Sequence, residues 1–170
     1  EILHVDPKHR RSLRILRERL MDRGDWDELE ALYERTGRWD SLIDALYTFS
    51  DRASDDTVRI AAYKMARHIA ADRQNDPERV ARVNERLLAL SSYDETIEAL
   101  VQHYEQTESW SRLLALQGQR LSREDDVQRR FLLCLQIRDL CEQKLGSKSL
   151  AFQWCAKAFD LNPQDPTVLN

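Results

Sequence analysis

The chain is 170 residues long, 42% hydrophobic and 33% charged, with a formal net charge of −4. This suits a packed core beneath a charged surface, and it lacks the basic balance of a nucleic-acid binder. Glycine and proline number only four each, which favours helices over turns and sheets, and no apolar run reaches the ~18 residues of a membrane-spanning helix.

Helical spacing runs along nearly the whole chain. Leu13, Leu16 and Leu20 recur at i, i+3 and i+4 spacing and predict a helix over 9–22. Leu29, Leu32 and Tyr33 predict one over 25–36, and Leu42, Ala45, Leu46 and Phe49 one over 39–53. The same reading places helices at 57–73, 77–90, 94–107, 110–123, 127–145 and 148–161, about nine in all, with a tenth starting near Asp165. Gly24, Gly37 and Gly146 stand where a left-handed residue ends a helix. The acids of "SDD" at 54–56, "NDPE" at 75–78 and "REDD" at 123–126 stand where N-caps are needed, with Pro77 at a first helical position.

The phrase G-x-W-D-x-L occurs at Gly24–Leu29 and again at Gly37–Leu42, which marks two consecutive helix starts. A longer repetition lies beneath it. Sliding the sequence by 71 residues aligns Leu29 with Leu100, Tyr33 with Tyr104, Trp39 with Trp110 and Asp55 with Asp126, giving thirteen identities between 29 and 96. Four helices fit within 71 residues, so the elementary unit is a helix pair of roughly 35 residues.

Such a unit resembles the tetratricopeptide repeat, whose pattern runs W-x₂-L-G-x₂-Y, A-x₃-F, P. The first half of the pattern stands at Trp26, Leu29 and Tyr33 and at Ile97, Leu100 and Tyr104. The second half stands in "LAFQWCAKAFDLNPQDP", through Ala151, Cys155, Ala158 and Pro163, and "ILHVDP" at 2–7 is similar to the tail of one more unit. The small residue after the leucine is replaced by Glu30, Arg67, Val101 or Arg138, so the chain is a degenerate member or a close relative. The resemblance implies a single all-α domain over 1–170, a right-handed superhelix of antiparallel pairs with units at 23–56, 57–93, 94–126 and 127–165. The helix at 9–22 stays outside this pairing. With Glu1 at the start and an unfinished helix at the end, the chain reads as a fragment of a longer protein.

In that family the first helices line an inner groove that binds a peptide or a partner helix. Carried over, the groove-facing offsets nominate Lys64, His68 and Asp72, then Glu98, Gln102, Glu105 and Gln106, then Asp139, Glu142 and Gln143. Five acids against one lysine imply a basic or neutral partner segment, steered electrostatically. The lysine and arginine clamp that one branch of the family uses for C-terminal carboxylates is not visible.

No Walker loop, dinucleotide fingerprint, GxSxG or HExxH occurs, and a non-catalytic scaffold without cofactor or metal is the preferred reading. The four histidines are dispersed, and the His68–Asp72 spacing reads first as a solvated helical face and only second as a ligand contact. Cys134, Cys141 and Cys155 lack a tight ligand step and a fourth ligand, so buried structural thiols are preferred over zinc. An odd cysteine count and the missing signal pattern favour a cytoplasmic setting, or a periplasmic one if the full-length protein carries a signal. Three other readings stay open: a helical-repeat subunit of an enzyme, in which recurrent tryptophans also occur, a structural spacer, and an RNA-binding repeat, which the acidic face disfavours.

Overall fold

A computed structural model of the chain describes residues 10–91 and 94–168. Among these the fold is all-α, with no strand. The helices are α1 (Arg10–Arg23), α2 (Trp26–Glu34), α3 (Trp39–Arg52), α4 (Asp56–His68), α5 (Pro77–Leu90), α6 (Asp94–Gln106), α7 (Trp110–Arg123), α8 (Val127–Asp139) and α9 (Lys148–Leu161).

The expected breaks are built as the sequence implies. Gly24 and Gly37 adopt φ of +72° and +64°. At Gly24 the amides of Gly24 and Asp25 bond the carbonyls of Met21 and Leu20, which closes α1 with the double turn typical of a left-handed terminus. Asp55 accepts from the Thr57 amide at 2.8 Å, Asp76 from Arg79 at 2.9 Å and Asp126 from Arg129 at 2.7 Å. Each carboxylate thereby satisfies an amide that the helix itself leaves unpaired.

The 71-residue period is reproduced in the backbone. Adding 71 to the bounds of α3 and α5 gives the bounds of α7 and α9. Two left-handed positions follow the same rule: Gly37 with Glu108 (φ +52°), and Asn75 (φ +50°) with Gly146 (φ +63°). The stretches expected as unbroken helices over 57–73 and 127–145 are not uniform. Each ends in a π-helical turn, Ile69–Arg73 after α4 and Leu140–Lys144 after α8, again 71 residues apart. In both, wide closing bonds satisfy the terminal carbonyls: Gln74 and Asp76 bond Ile69 and Ala70, and Leu145 and Ser147 bond Leu140 and Cys141. The expected tenth helix is a three-residue 3₁₀ turn, Pro166–Val168, opened by Asp165 accepting from the Thr167 amide.

Contacts gather the chain into two units that divide between Thr96 and Ile97. In the first, each helix from α1 to α5 packs on the next, and the π turn of α4 also meets α3 and α5. The unpaired α1 therefore lies on α2, through Leu13, Leu20 and Met21 in a core shared with Leu29, Tyr33, Leu42, Leu46, Ile69 and Leu87. Completely buried leucines of this kind contribute roughly 1.5–3 kcal/mol each. In the second unit α7 packs on α8, and α8 on α9. Its core holds Phe131, Cys134 and Ala158, with Ile137, Cys141 and Ala151 in a neighbouring cluster. Cys134 and Cys141 stand where Tyr63 and Ala70 stand in the first unit, and all four are buried. They are core positions, and burial pushes both thiols above the ordinary cysteine range.

Candidate functional site on the first helices of the repeats

In the first unit α2 and α4 meet through a polar cluster centred on Glu30. The Glu30 side chain is only 15% exposed. Arg73 donates to it through Nε at 2.7 Å, and His68 Nε2 lies 3.2 Å from both of its oxygens. Burial opposes ionisation of Glu30, yet the hydrogen bonds from Arg73 and His68 outweigh it and hold the carboxyl below the usual glutamate range. The other ring nitrogen of His68 lies 2.6 Å from Asp72. Arg73 also reaches Glu34 at 3.5 Å and lies over the Trp39 ring, 5.6 Å from its centre.

The spacing of Lys64, His68 and Asp72 marked a surface, and the structure shows Lys64 and Asp72 exposed on it. His68 and Asp72 are bound into the cluster together with Glu30, Arg73 and Trp39, three residues outside the set expected from helical spacing. One signal was available. Glu30 occupies the position that the repeat pattern reserves for a small residue, and a carboxylate placed there needs partners from the next first helix.

A second cluster joins the start of α3 to the start of α5: Asp40 accepts from Arg79 and from Gln74, the latter at 2.9 Å. The Arg79 bond, then the Gln74 bond, lowers the Asp40 carboxyl below its ordinary range. A third centres on Arg86, which lies 4.8 Å from the Tyr47 ring centre and donates at 3.2 Å to the Tyr63 hydroxyl.

The second unit differs. Glu98, Gln102, Glu105 and Gln106 are exposed on α6, and Glu142 and Gln143 are exposed on the π turn after α8. Among the described residues, Glu98, Glu105 and Glu142 make no ion pair. Asp139 is the exception within the expected set: Arg138 binds it at 2.8 and 2.9 Å, while also donating to the Thr167 carbonyl. The expected set therefore lies in two parts, Lys64, His68 and Asp72 in the first unit and the other seven in the second.

As a catalytic arrangement the Glu30–His68–Asp72 line is incomplete. Both ring nitrogens of His68 face carboxylates, and no hydroxyl or thiol of the described residues is bonded to it. No group of three His, Cys, Asp or Glu side chains among the described residues could hold a metal ion. No helix among them is long and apolar enough to cross a membrane. Comparison with protein-family models finds no match to this chain, and comparison with curated proteins finds none either.

Proposed function

We propose that the chain is a non-catalytic interaction scaffold of tetratricopeptide type, which binds a basic peptide or partner helix along the face of its first helices. One observation supports this most: the exposed carboxylates Glu98, Glu105 and Glu142 of the second unit, which no cation of the described residues neutralises. Unpaired surface carboxylates do little for folding, but they steer an oppositely charged segment and set its register. Gln102 and Gln106 are exposed on the helix that carries Glu98 and Glu105, and Gln143 is exposed next to Glu142, and their amides supply donors and acceptors for a backbone. A reducing, cytoplasmic setting agrees with three free cysteines, two of them buried.

The test is photo-crosslinking from position 102 in native lysate, followed by affinity measurement with the purified partner. A single captured protein, bound about tenfold more weakly by the Glu98→Lys, Glu105→Lys variant, supports the proposal. A partner held equally by both proteins removes this face from the account. Substrate turnover by the purified chain, abolished by a point change on this face, would favour an enzyme subunit instead.

A further inference from the structure

The first unit carries a second surface, built from different residues. A groove of about 1050 Å³ runs between α1 and α3. It shares Arg14, Arg17 and Ser41 with a recess of about 330 Å³ that is completed by Leu13, Tyr33 and Arg38.

Three features of this recess point to an anion. First, the arginines of the polar clusters described above, Arg73, Arg79 and Arg86, each pair with a carboxylate. Arg14, Arg17 and Arg38 pair with none among the described residues. Second, Arg17 Nε is buried without a hydrogen-bond partner, while its terminal nitrogen lies 3.4 Å from the Tyr33 hydroxyl. A buried guanidinium nitrogen left unpaired is costly. Arg59 Nε is in the same state, but its terminal nitrogen pairs with Asp56, whereas Arg17 has no carboxylate partner among the described residues. Third, Arg38 is the N-cap residue of α3, a helix whose first turn has no side-chain cap. The open amides and the helix dipole favour negative charge at that end.

We propose that this recess holds the phosphate of a phosphorylated serine or threonine in a partner protein, with the flanking chain lying along the α1–α3 groove. Three guanidinium groups, the Tyr33 and Ser41 hydroxyls and an uncapped helix turn offer more donors than the two oxygens of a carboxylate can accept. A phosphomonoester brings three terminal oxygens and a charge near −2, and arginine binds it in a fork. The remainder of the groove limits the ligand to a single phosphate. Beyond the shared residues, Glu18, Asp22 and Asp44 line it with Arg52, three carboxylates to one guanidinium, beside Met21, Ala45 and Phe49. A second phosphate, as in a nucleic acid or a lipid surface, would meet those carboxylates, whereas apolar and basic flanking residues would be accommodated. This surface is independent of the α6 face, so either can fail without the other.

The test uses the full chain and a phosphoserine-centred peptide library with randomised flanks, alongside its unphosphorylated twin. Expected is retention of the phosphorylated library at least about tenfold above its twin, with enrichment of apolar and basic flanks. The Arg14→Gln, Arg38→Gln variant should lose that ratio while keeping its helical circular dichroism, and Glu98→Lys, Glu105→Lys should keep it. Equal retention of the two libraries, or a ratio indifferent to the arginine variant, overturns the proposal. Full displacement by inorganic phosphate with no flank preference would make the source free phosphate and overturn the peptide assignment. Tighter binding of a single-stranded oligonucleotide than of the library would overturn it as well.

Discussion

In the first repeat His68, Asp72 and Arg73 close on Glu30, whereas the matching positions of the second repeat hold Asp139, Gln143, Lys144 and Val101. The aromatic cluster of Tyr47, Tyr63 and Arg86 becomes Gly118, Cys134 and Lys157, and Lys157 lies instead over Trp154, 3.8 Å from its ring centre. Ala81 and Leu88 are buried, while their counterparts Phe152 and Phe159 are exposed. What survives is the backbone from α3 onward: the bounds of α3, α4 and α5, the π turns, and the left-handed positions at Gly37 and Asn75. One contact survives too, since Lys144 lies over Trp110 at 4.9 Å as Arg73 lies over Trp39. The lesson is that local turn chemistry and core spacing hold the repeat, while its polar faces are free to diverge, one tied to itself and one left open.

Exchanging residues between the repeats tests this division. The largest effect is expected at the core position where they differ most. Tyr63→Ala should cost about 3 kcal/mol, and Cys134→Ala about 1 kcal/mol, by chemical denaturation. Comparable losses at both positions would mean that the aromatic cluster adds nothing to the first repeat. Next comes the Glu30 cluster. Glu30→Gln should cost about 1 kcal/mol at neutral pH, because the side chain is largely buried and is bonded by Arg73 and His68. The Glu30 carboxyl is lowered by folding, so its contribution is present above about pH 4.5, the ordinary glutamate value, and is lost as pH falls through the folded value. The gap between variant and wild type should therefore close in acid. A gap independent of pH would remove charge from the explanation.

Smaller effects are expected at the shared turn. Glu108 takes the left-handed conformation that Gly37 takes in the first repeat, with φ of +52°. Glu108→Gly should stabilise the protein by about 0.5 kcal/mol, and Gly37→Glu should destabilise it by about 1 kcal/mol. Thermal unfolding reads both. Equally small is Lys144→Ala, expected to cost about 0.5 kcal/mol and to alter Trp110 fluorescence, as befits an exposed cation over a ring.

Much of the fold was legible in the sequence because it is written in local rules. Leucine spacing, Gly24, Gly37 and Gly146, and the capping aspartates each act within one turn of their own position. The π turns were not legible, since Ala66, Ile69 and Ala70 continue the apolar spacing through the change of hydrogen bonding. The candidate site was legible only in part. Exposure of Glu98 and Glu105 follows from helical phase, but the binding of His68 and Arg73 to Glu30 joins residues 38 and 43 positions apart. The anion recess was missed for the same reason, because Arg14, Arg17 and Arg38 converge only when α1 folds onto α2.

The open acidic face of the second repeat is the centre of this account, and its first-repeat equivalent supplies a matched control. Glu98 and Glu105 correspond to Asp27 and Glu34, where Arg73 already faces Glu34. The direct measurement is fluorescence anisotropy of a labelled lysine-rich peptide against Glu98→Lys, Glu105→Lys and against Asp27→Lys, Glu34→Lys. Both variants change net charge equally. Binding weakened about tenfold by the first and under about twofold by the second is the expected result. Equal weakening by both would show that the peptide reads overall acidity, and would contradict a binding face on the second repeat.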